Sequence, residues 1–467
     1  MSVSSFFGSA ILFFCLFFVA ACNSPDFSQI NNVPASILSM GKKLGDLKTE
    51  ETAVAMSKTP LPLKDILVGS LATENQGANF IESVKYALDS NPEIISKQRG
   101  IKAKLASVGA TEAQKNFQVG TIVYGGVEDI TDNTRGVALA INASRLVFDG
   151  GKLDSQIESS LFEVEAAKMD LLATIDRSAN DLLKKWLELE KYKSLQAQID
   201  QRLSVLDPLI DQLEKVAQAG IGDVSKVTAA QRTVSAIRVE KTSVAEGLAQ
   251  AQLDFSNAFG ALNDGVAFDY NFVTNLVPSK IDDNLVQSAP LLRSQYASYQ
   301  ASLASLKALK AKDGFDVGFE AKAMRPFAGS GYDSDESIGL VGRKTLFNGG
   351  MLKSEIREAE AISEAKLAQI RATYRSGARS VKAAIQNIES MEKAILIARK
   401  NAKLTSDEIV HLRQQLVIGA STLDSVLSAE ARLYAAESRE IKFLTDRYKS
   451  EIFIASSLGL LSNALGY

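Results

Sequence analysis

The chain has 467 residues and a formal net charge of −3, with charged residues of both signs making up 23% and well mixed along its length. That balance leaves no nucleic-acid footprint. After residue 21 no apolar run approaches the length of a membrane helix, so a mature chain that crosses a membrane must do so as β-strands.

The first element is residues 6–21, almost wholly apolar and closing on Val19-Ala20-Ala21-Cys22. A short apolar core followed by small residues is the pattern of a cleaved signal, and the run falls short of the ~20 residues that span a bilayer. Cysteine directly after the small residues resembles a bacterial lipobox, which implies a signal peptide over 1–21 and lipidation of Cys22. Asn23, where Asp would resemble an inner-membrane retention signal, favours the outer membrane; no Lys or Arg precedes the apolar run, a departure from the pattern. With Cys15 removed and Cys22 occupied, no disulfide is available even in an oxidising compartment. Residues 22–75, with scattered Pro, Ser, Asn and Lys, read as a lipid-anchored arm or linker.

Residues 76–262 and 263–467 read as two copies of one unit. Phe148, Gly220 and Gly260 recur as Phe347, Gly419 and Gly459, each pair 199 residues apart, and "FDGG" at 148–151 returns as "FNGG" at 347–350. A segment that tolerates substitution but keeps its length is a geometric part. Each copy opens with a helix interrupted by "SNPEI" or "SAPLL", where Pro92 and Pro290 suit a first helical turn and Ser90 or Asn91 suits the cap.

Strands follow. Residues 315–323 alternate strictly, with Phe315, Val317, Phe319 and Ala321 on one face and Asp316, Glu320 and Lys322 on the other. The counterpart is 117–124; return strands are predicted over 137–147 and 338–346 after loops rich in Gly, Asp and Asn. A soluble sheet with one buried face is the bland alternative, but two hairpins nearly two hundred residues apart supply four strands, whereas membrane barrels start at about eight. Several copies must therefore join to remove the open edges, with apolar residues toward lipid and Asp316, Glu320 and Lys322 lining a wet lumen.

After each Gly-Gly pair the period changes to 3.5. Leu189, Tyr192, Gln196, Ile199, Leu203, Leu206, Ile210 and Leu213 form a heptad seam, repeated with smaller residues at Ile388, Met391, Ile395, Ala398, Ala402, Thr405, Ile409 and Leu412. Near Gly220 and Gly419 the helix reverses, and return helices carry seams such as Val227, Ala230, Val234 and Ile237, with Lys241 an exception. Helical hairpins are thus expected over about 150–262 and 349–461. Pro208 lies outside the seam and is expected to bend the helix without ending it.

The double repeat, the NPE-like helix start, the strand pairs ending in "LVFDGG" and "TLFNGG" and the glycine turns together resemble the TolC family of outer-membrane efflux and secretion channels, over about residues 76–461. The resemblance implies a mainly α fold with a membrane β-barrel: a homotrimer whose β-hairpins form a twelve-stranded barrel and whose long antiparallel coiled-coil hairpins form a twelve-helix periplasmic tunnel. It also implies a periplasmic adaptor and an inner-membrane pump, ABC or proton-driven, as partners, besides outer-membrane lipid. The helix-turn tips, Gly220, Ile221, Gly222 and Asp223 with Ile418, Gly419, Ala420, Ser421 and Thr422, correspond to turns that dock with the adaptor. At the periplasmic aperture the family's inward carboxylates are replaced by Ser425 and Ser428, with Lys226 at the first-repeat position; Asp223 and Asp424 lie near but out of register, and are candidates to replace them in part.

Nothing in the chain argues for catalysis, a cofactor or a metal. His411 sits beside seam residue Leu412 and reads as a helix-surface residue, and Gly150-Gly151-Lys152 lacks the rest of a phosphate loop. The leading expectation is a passive exit duct of a tripartite efflux pump or type I secretion system. A non-conducting structural lipoprotein spanning the periplasm and a soluble coiled-coil interaction protein are the alternatives.

Overall fold

The computed structural model describes residues 77–129, 134–219, 224–260, 266–278, 280–327 and 333–467. The chain divides into Met1–Gly69 and Ser70–Tyr467, and every described residue lies in the second unit. The signal peptide expected over 1–21 and the arm expected over 22–75, with Cys22, lie outside the described residues.

Helix α1 (Phe80–Asp89) starts where the Asn79 side chain accepts the Glu82 N–H at 3.0 Å. Of the two candidate caps around Pro92, Asn91 starts α2 (Pro92–Ala113) by accepting the Glu93 N–H at 2.9 Å. Ser90 closes α1 instead, its Oγ donating to the Tyr86 carbonyl. Strands β1 (Gln118–Asp129) and β2 (Thr134–Phe148) follow, then the long helix α3 (Lys152–Gln218) and its return α4 (Val224–Phe259). Short helices α5 (Tyr270–Leu276) and α6 (Asp283–Gln287) precede α7 (Pro290–Ala311), β3 (Asp316–Pro326) and β4 (Asp335–Arg343). The chain then runs through α8 (Met351–Val417), α9 (Leu423–Leu458) and α10 (Leu460–Ala464).

Helices α3 and α8 both have 67 residues, and α4 and α9 both have 36. At ~1.5 Å per residue the longer pair is about 100 Å long. Pro208 is exposed within α3, which continues through it. Before each long helix two successive glycines have positive φ: Gly150 and Gly151 at 66° and 83°, Gly349 and Gly350 at 65° and 84°. This left-handed pair, cheap only for glycine, swings the chain from strand to helix. Ahead of α3 the Asp149 carboxylate accepts the N–H groups of Gly151 and Leu153 at 3.0 and 2.7 Å, because the N-cap glycine has no side chain to do so.

The sheet has the order β1-β2-β3-β4 and is antiparallel throughout, so the two hairpins join through β2 and β3. β2 runs on to Phe148, paired with Val317. The fourth strand does not run from 338 to 346 as the alternation predicts. It starts at Asp335 and ends at Arg343, which pairs with Asp316, the first residue of β3, leaving Leu346 and Phe347 outside and exposed. The reason is position: β2 has a neighbour on each side, whereas β4 has only β3 and loses its ladder where β3 begins.

Among the described residues no helix is long and apolar enough to cross a membrane. The heptad seams are the core of the long helices. Ile199, Leu203, Leu206 and Ile210 of α3 pack against Ala230, Val234 and Ile237 of α4 and against Leu427 and Tyr434 of α9. In the second half Ile409 packs with Ala429 and Leu433, a thinner core of smaller side chains. A separate cluster surrounds Trp186 of α3, whose ring lies 5.0, 5.1 and 6.1 Å from those of Phe80, Phe259 and Phe268.

The chain end is pinned. Helix α10 is preceded by Gly459, which offers no side-chain cap; instead the buried Asp176 carboxylate of α3 accepts the Ser462 N–H at 2.7 Å and its hydroxyl at 3.0 Å. Gly459 has φ 76°, and an added Cβ would fall 2.3 Å from Pro290 Cδ. Gly459→Ala therefore meets both backbone strain and a rigid ring; thermal unfolding of the variant is expected to show a loss of at least ~2 kcal/mol.

Candidate functional site: the two-faced sheet and the helix-turn tip

Residues that face each other across an antiparallel ladder point to one side of the sheet. One side carries Asn142, Lys322 and Ser337 in one row and Ser144, Glu320 and Gly339 in the next. The other carries Ala143, Ala321 and Ile338, then Thr121, Ile141 and Ala323. The apolar side is the bare one: Val119, Val123, Ile338 and Leu340 are 71, 66, 75 and 68% exposed. Polar side chains on the opposite side are tied together. The Arg343 guanidinium donates to both oxygens of Glu320 at 2.5 and 3.0 Å, Lys322 pairs with Asp335 at 3.0 Å, and Asp316 pairs with Lys152 of α3 at 2.8 Å. Asp316, Glu320 and Lys322 thus share one face, with Asp316 at the junction of sheet and helix. Where strand gives way to helix, Phe117 meets Phe319 edge-on at 5.9 Å on the apolar side, and the Arg145 guanidinium lies over the Phe117 ring.

The first tip, Gly220, Ile221, Gly222 and Asp223, lies outside the described residues, as does the side chain of Lys226. In the second, α8 ends with exposed Val417 and Ile418, and Gly419 reverses the chain at φ 73°. The N–H groups of Gly419, Ala420 and Ser421 satisfy the last carbonyls of the helix, those of Leu416 and Gln415, at 3.2, 2.8 and 3.3 Å. Thr422 caps α9: its Oγ1 accepts the Ser425 N–H at 3.3 Å and lies 2.8 Å from the Ser425 hydroxyl. Asp424 is in the first turn of α9, where the helix dipole favours a carboxylate, and Ser428 is one turn on. Among the described residues no atom beyond its chain neighbours lies within 4 Å of a Cβ added to Gly419, so Gly419→Ala meets only the strain of positive φ there. Its expected cost is ~1–2 kcal/mol, smaller than at Gly459, and a comparison of the two melting curves checks the order.

Behind this tip lies an ionic network that the sequence reading missed. Glu430 of α9 is 2% exposed and pairs with Arg202 of α3 and with Arg413 of α8, the latter at 2.7 Å. Arg202 also donates to Glu437 at 2.9 Å, and Gln198 donates to Glu437 at 2.9 Å while accepting from the Ser438 hydroxyl at 2.8 Å. One helical hairpin is thereby tied to the other by buried charge. A signal was present: Glu430 aligns with Gln231 and Arg413 with Glu214 at the same 199-residue spacing, and Gln231 donates to Glu214 at 2.6 Å. Both halves hold a complementary polar pair at equivalent places.

His411 is exposed on α8, and among the described residues no group of His, Cys, Asp or Glu could hold a metal ion. Residues 283–460 match the family model described as "Outer membrane efflux protein". Over that stretch the chain is similar to the outer membrane efflux proteins. The matched segment takes in α6 through α9 and so includes the second hairpin of the sheet and the described tip. The chain is also 22% identical over 151 residues to the outer membrane protein TolC of Escherichia coli, a match spanning about a third of each protein: 32% of this chain and 31% of TolC.

The fold extends the likeness beyond the matched segment. The outer membrane protein VceC of Vibrio cholerae superposes with a TM-score of 0.69 at 16% identity, covering 81% of this chain and 95% of VceC. The open-state MtrE outer membrane channel of Neisseria gonorrhoeae gives 0.68 at 13% identity, covering 81% and 88%. A mainly helical chain with a small antiparallel sheet is the fold of these channels.

Proposed function

We propose that three copies of this chain form an outer-membrane duct that passively conducts cargo from the periplasmic side to the exterior. The observation that carries this reading is the sheet: one side bare and apolar apart from the Arg325–Glu336 pair near the loop end, the other ion-paired and polar, and the outer edges of β1 and β4 unpaired among the described residues. Three copies of a four-stranded sheet give twelve strands, which closes a barrel and removes the edges. Apolar residues such as Val119 and Leu340 then meet lipid, while Asp316, Glu320 and Lys322 line water. The chain is placed in the outer membrane of a Gram-negative bacterium, held also by lipid on Cys22, with its helices extending into the periplasm.

In this reading the long helices, completed by sister copies, continue the barrel as a tube. The tips at Gly220–Asp223 and Ile418–Thr422 dock with a periplasmic adaptor, and an ABC or proton-driven inner-membrane pump supplies the energy. Small molecules and secreted proteins are the two cargo classes. Asp223, Lys226, Asp424, Ser425 and Ser428 line the periplasmic aperture. No step of covalent chemistry is required of the chain.

Detergent-extracted protein is expected to be trimeric and to produce discrete conductance steps in a planar bilayer. A stable monomer without conductance would overturn the duct, and a trimer without conductance would leave a structural lipoprotein. Asp424→Ala is expected to weaken cation preference; an unchanged preference removes Asp424 from the aperture.

A further inference from the structure

A cavity of about 640 Å³ opens among the four long helices at the level of Lys184. It is lined from both halves of the chain at equivalent places: Lys184 with Ala383, Glu188 with Asn387 and Asp254 with Phe453 are each 199 residues apart. Equivalent positions turned toward one cavity place the axis that relates the halves on the cavity's side. If sister copies complete a cylinder about that axis, the cavity is on its inner wall. This placement rests on the duct reading; the binding chemistry does not.

That chemistry is lopsided. The second half contributes Ala383, Ala384 and Phe453 with a single charge, Lys449, whereas the first contributes Lys184 and Lys185 together with Glu188 and Asp254. Lys449, also at the cavity, is committed to Glu188. Lys184 is half-buried, its ammonium lies 5.6 Å from the centre of the Phe453 ring, and among the described residues it makes no ion pair. Burial draws its pKa below the ordinary lysine value, opposed by the charge of Asp181 and reinforced by that of Lys449. A half-desolvated cation beside an aromatic face, in a cavity within the ~300–1,000 Å³ range of small-molecule sites, gains most from an anion carried on an apolar body. We infer that this cavity binds an amphipathic anion, with an aromatic body against Phe453 and the alanines and a carboxylate or sulfonate on Lys184.

The chain's single tryptophan, Trp186, stands two residues from Lys184 and can report occupancy by energy transfer. Dansylglycine, an aromatic amphiphile with a carboxylate, is titrated into the full protein in lipid nanodiscs while dansyl emission is read on tryptophan excitation. Saturable emission is expected, with dansylamide, which lacks the carboxylate, binding at least ~10-fold more weakly. Lys184→Met is expected to weaken dansylglycine by a similar factor, and Lys184→Arg to retain it. Equal binding of dansylamide and dansylglycine to the wild type, or unchanged affinity in Lys184→Met, would overturn the site. In planar bilayers bound dansylglycine is expected to reduce single-channel current in the wild type but not in Lys184→Met. Lys184-dependent binding that leaves a measurable current unchanged overturns the inward placement alone, and absence of any conductance overturns the duct reading while the binding result stands.

Discussion

Glu430→Ala is expected to lower the stability of the protein by ~3–5 kcal/mol, the cost of removing one partner from a buried ionic cluster. Glu430 is 2% exposed, and its two oxygens hold Arg202 and Arg413; Arg202 is itself only 11% exposed in its side chain. Alanine leaves Arg202 desolvated with Glu437 as its remaining carboxylate. For a chain of this size such a loss corresponds to several degrees in the unfolding temperature, read by circular dichroism. Glu430→Gln keeps the shape and one acceptor and is expected to fall between. The triple replacement Arg202→Met, Glu430→Leu, Arg413→Leu leaves only Glu437 of the network, 34% exposed in its side chain and still bonded by Gln198, and is expected to recover most of the loss, because no buried ion is left unpaired. A Glu430→Ala protein that melts with the wild type would show that the three charges are solvated in solution.

Asp176 predicts a pH effect of the opposite kind. Its carboxylate is buried, and desolvation raises its pKa from 3.8 to about 6 against the lowering effect of the Ser462 hydrogen bonds. A folded state with the higher pKa binds the proton more tightly than the unfolded chain does. Stability is therefore highest below the unfolded value, falls as pH rises between about 4 and 6, and is lowest above that window. The shift corresponds to roughly 3 kcal/mol. Asp176→Asn cannot ionise, yet its carbonyl can still accept the Ser462 N–H and its amide can donate to the Ser462 hydroxyl. The variant is expected to match the wild type at pH 4 and to be more stable by ~1–3 kcal/mol at pH 8. Asp176→Ala leaves the Ser462 N–H without an acceptor and is expected to be less stable than Asp176→Asn by ~1–3 kcal/mol at every pH, and so to fall below the wild type at pH 4. Unfolding temperatures of the three proteins across pH 4–8 check both sign and window; parallel curves for the wild type and Asp176→Asn would show that the group does not titrate there.

The long elements were legible because their patterns are long. A heptad seam from Leu189 to Leu213 samples seven helical turns, and Leu189, Ile199, Leu203, Leu206 and Ile210 are all buried. The alternation from Phe315 to Lys322 likewise places Glu320 and Lys322 on one side and Phe319 and Ala321 on the other. Helices α5, α6 and α10 were not legible, since seven or five residues carry too little periodicity to separate from a loop. Asp269 and Asp282 cap the first two, accepting from Phe272 and Leu285 at 3.0 and 2.9 Å, but a capping aspartate looks like any loop aspartate until the helix is known.

The candidate sites divide the same way. Gly419 stood out because reversing a long helix needs a residue tolerant of positive φ, and Asp316, Glu320 and Lys322 stood out by alternation. Glu430 did not, because on α9 alone it is one carboxylate among many. Only its encounter with Arg202, 228 residues earlier, makes it a buried ion. Lys184 is the same case, since Phe453 lies in the other half of the chain.

From residue order alone come the periods, the glycine reversals, the equal lengths of the helix pairs and the alternation of the strands, because each depends on neighbours within a few turns. Long-range placement depends on which faces meet. The end of β4 at Arg343 follows from its having β3 as sole neighbour within the chain. The capping of α10 by Asp176, the Arg202–Glu430–Arg413 tie and the cavity at Lys184 arise where the two halves of the chain are desolvated against one another. A buried charge is recognisable only once the packing that buries it exists.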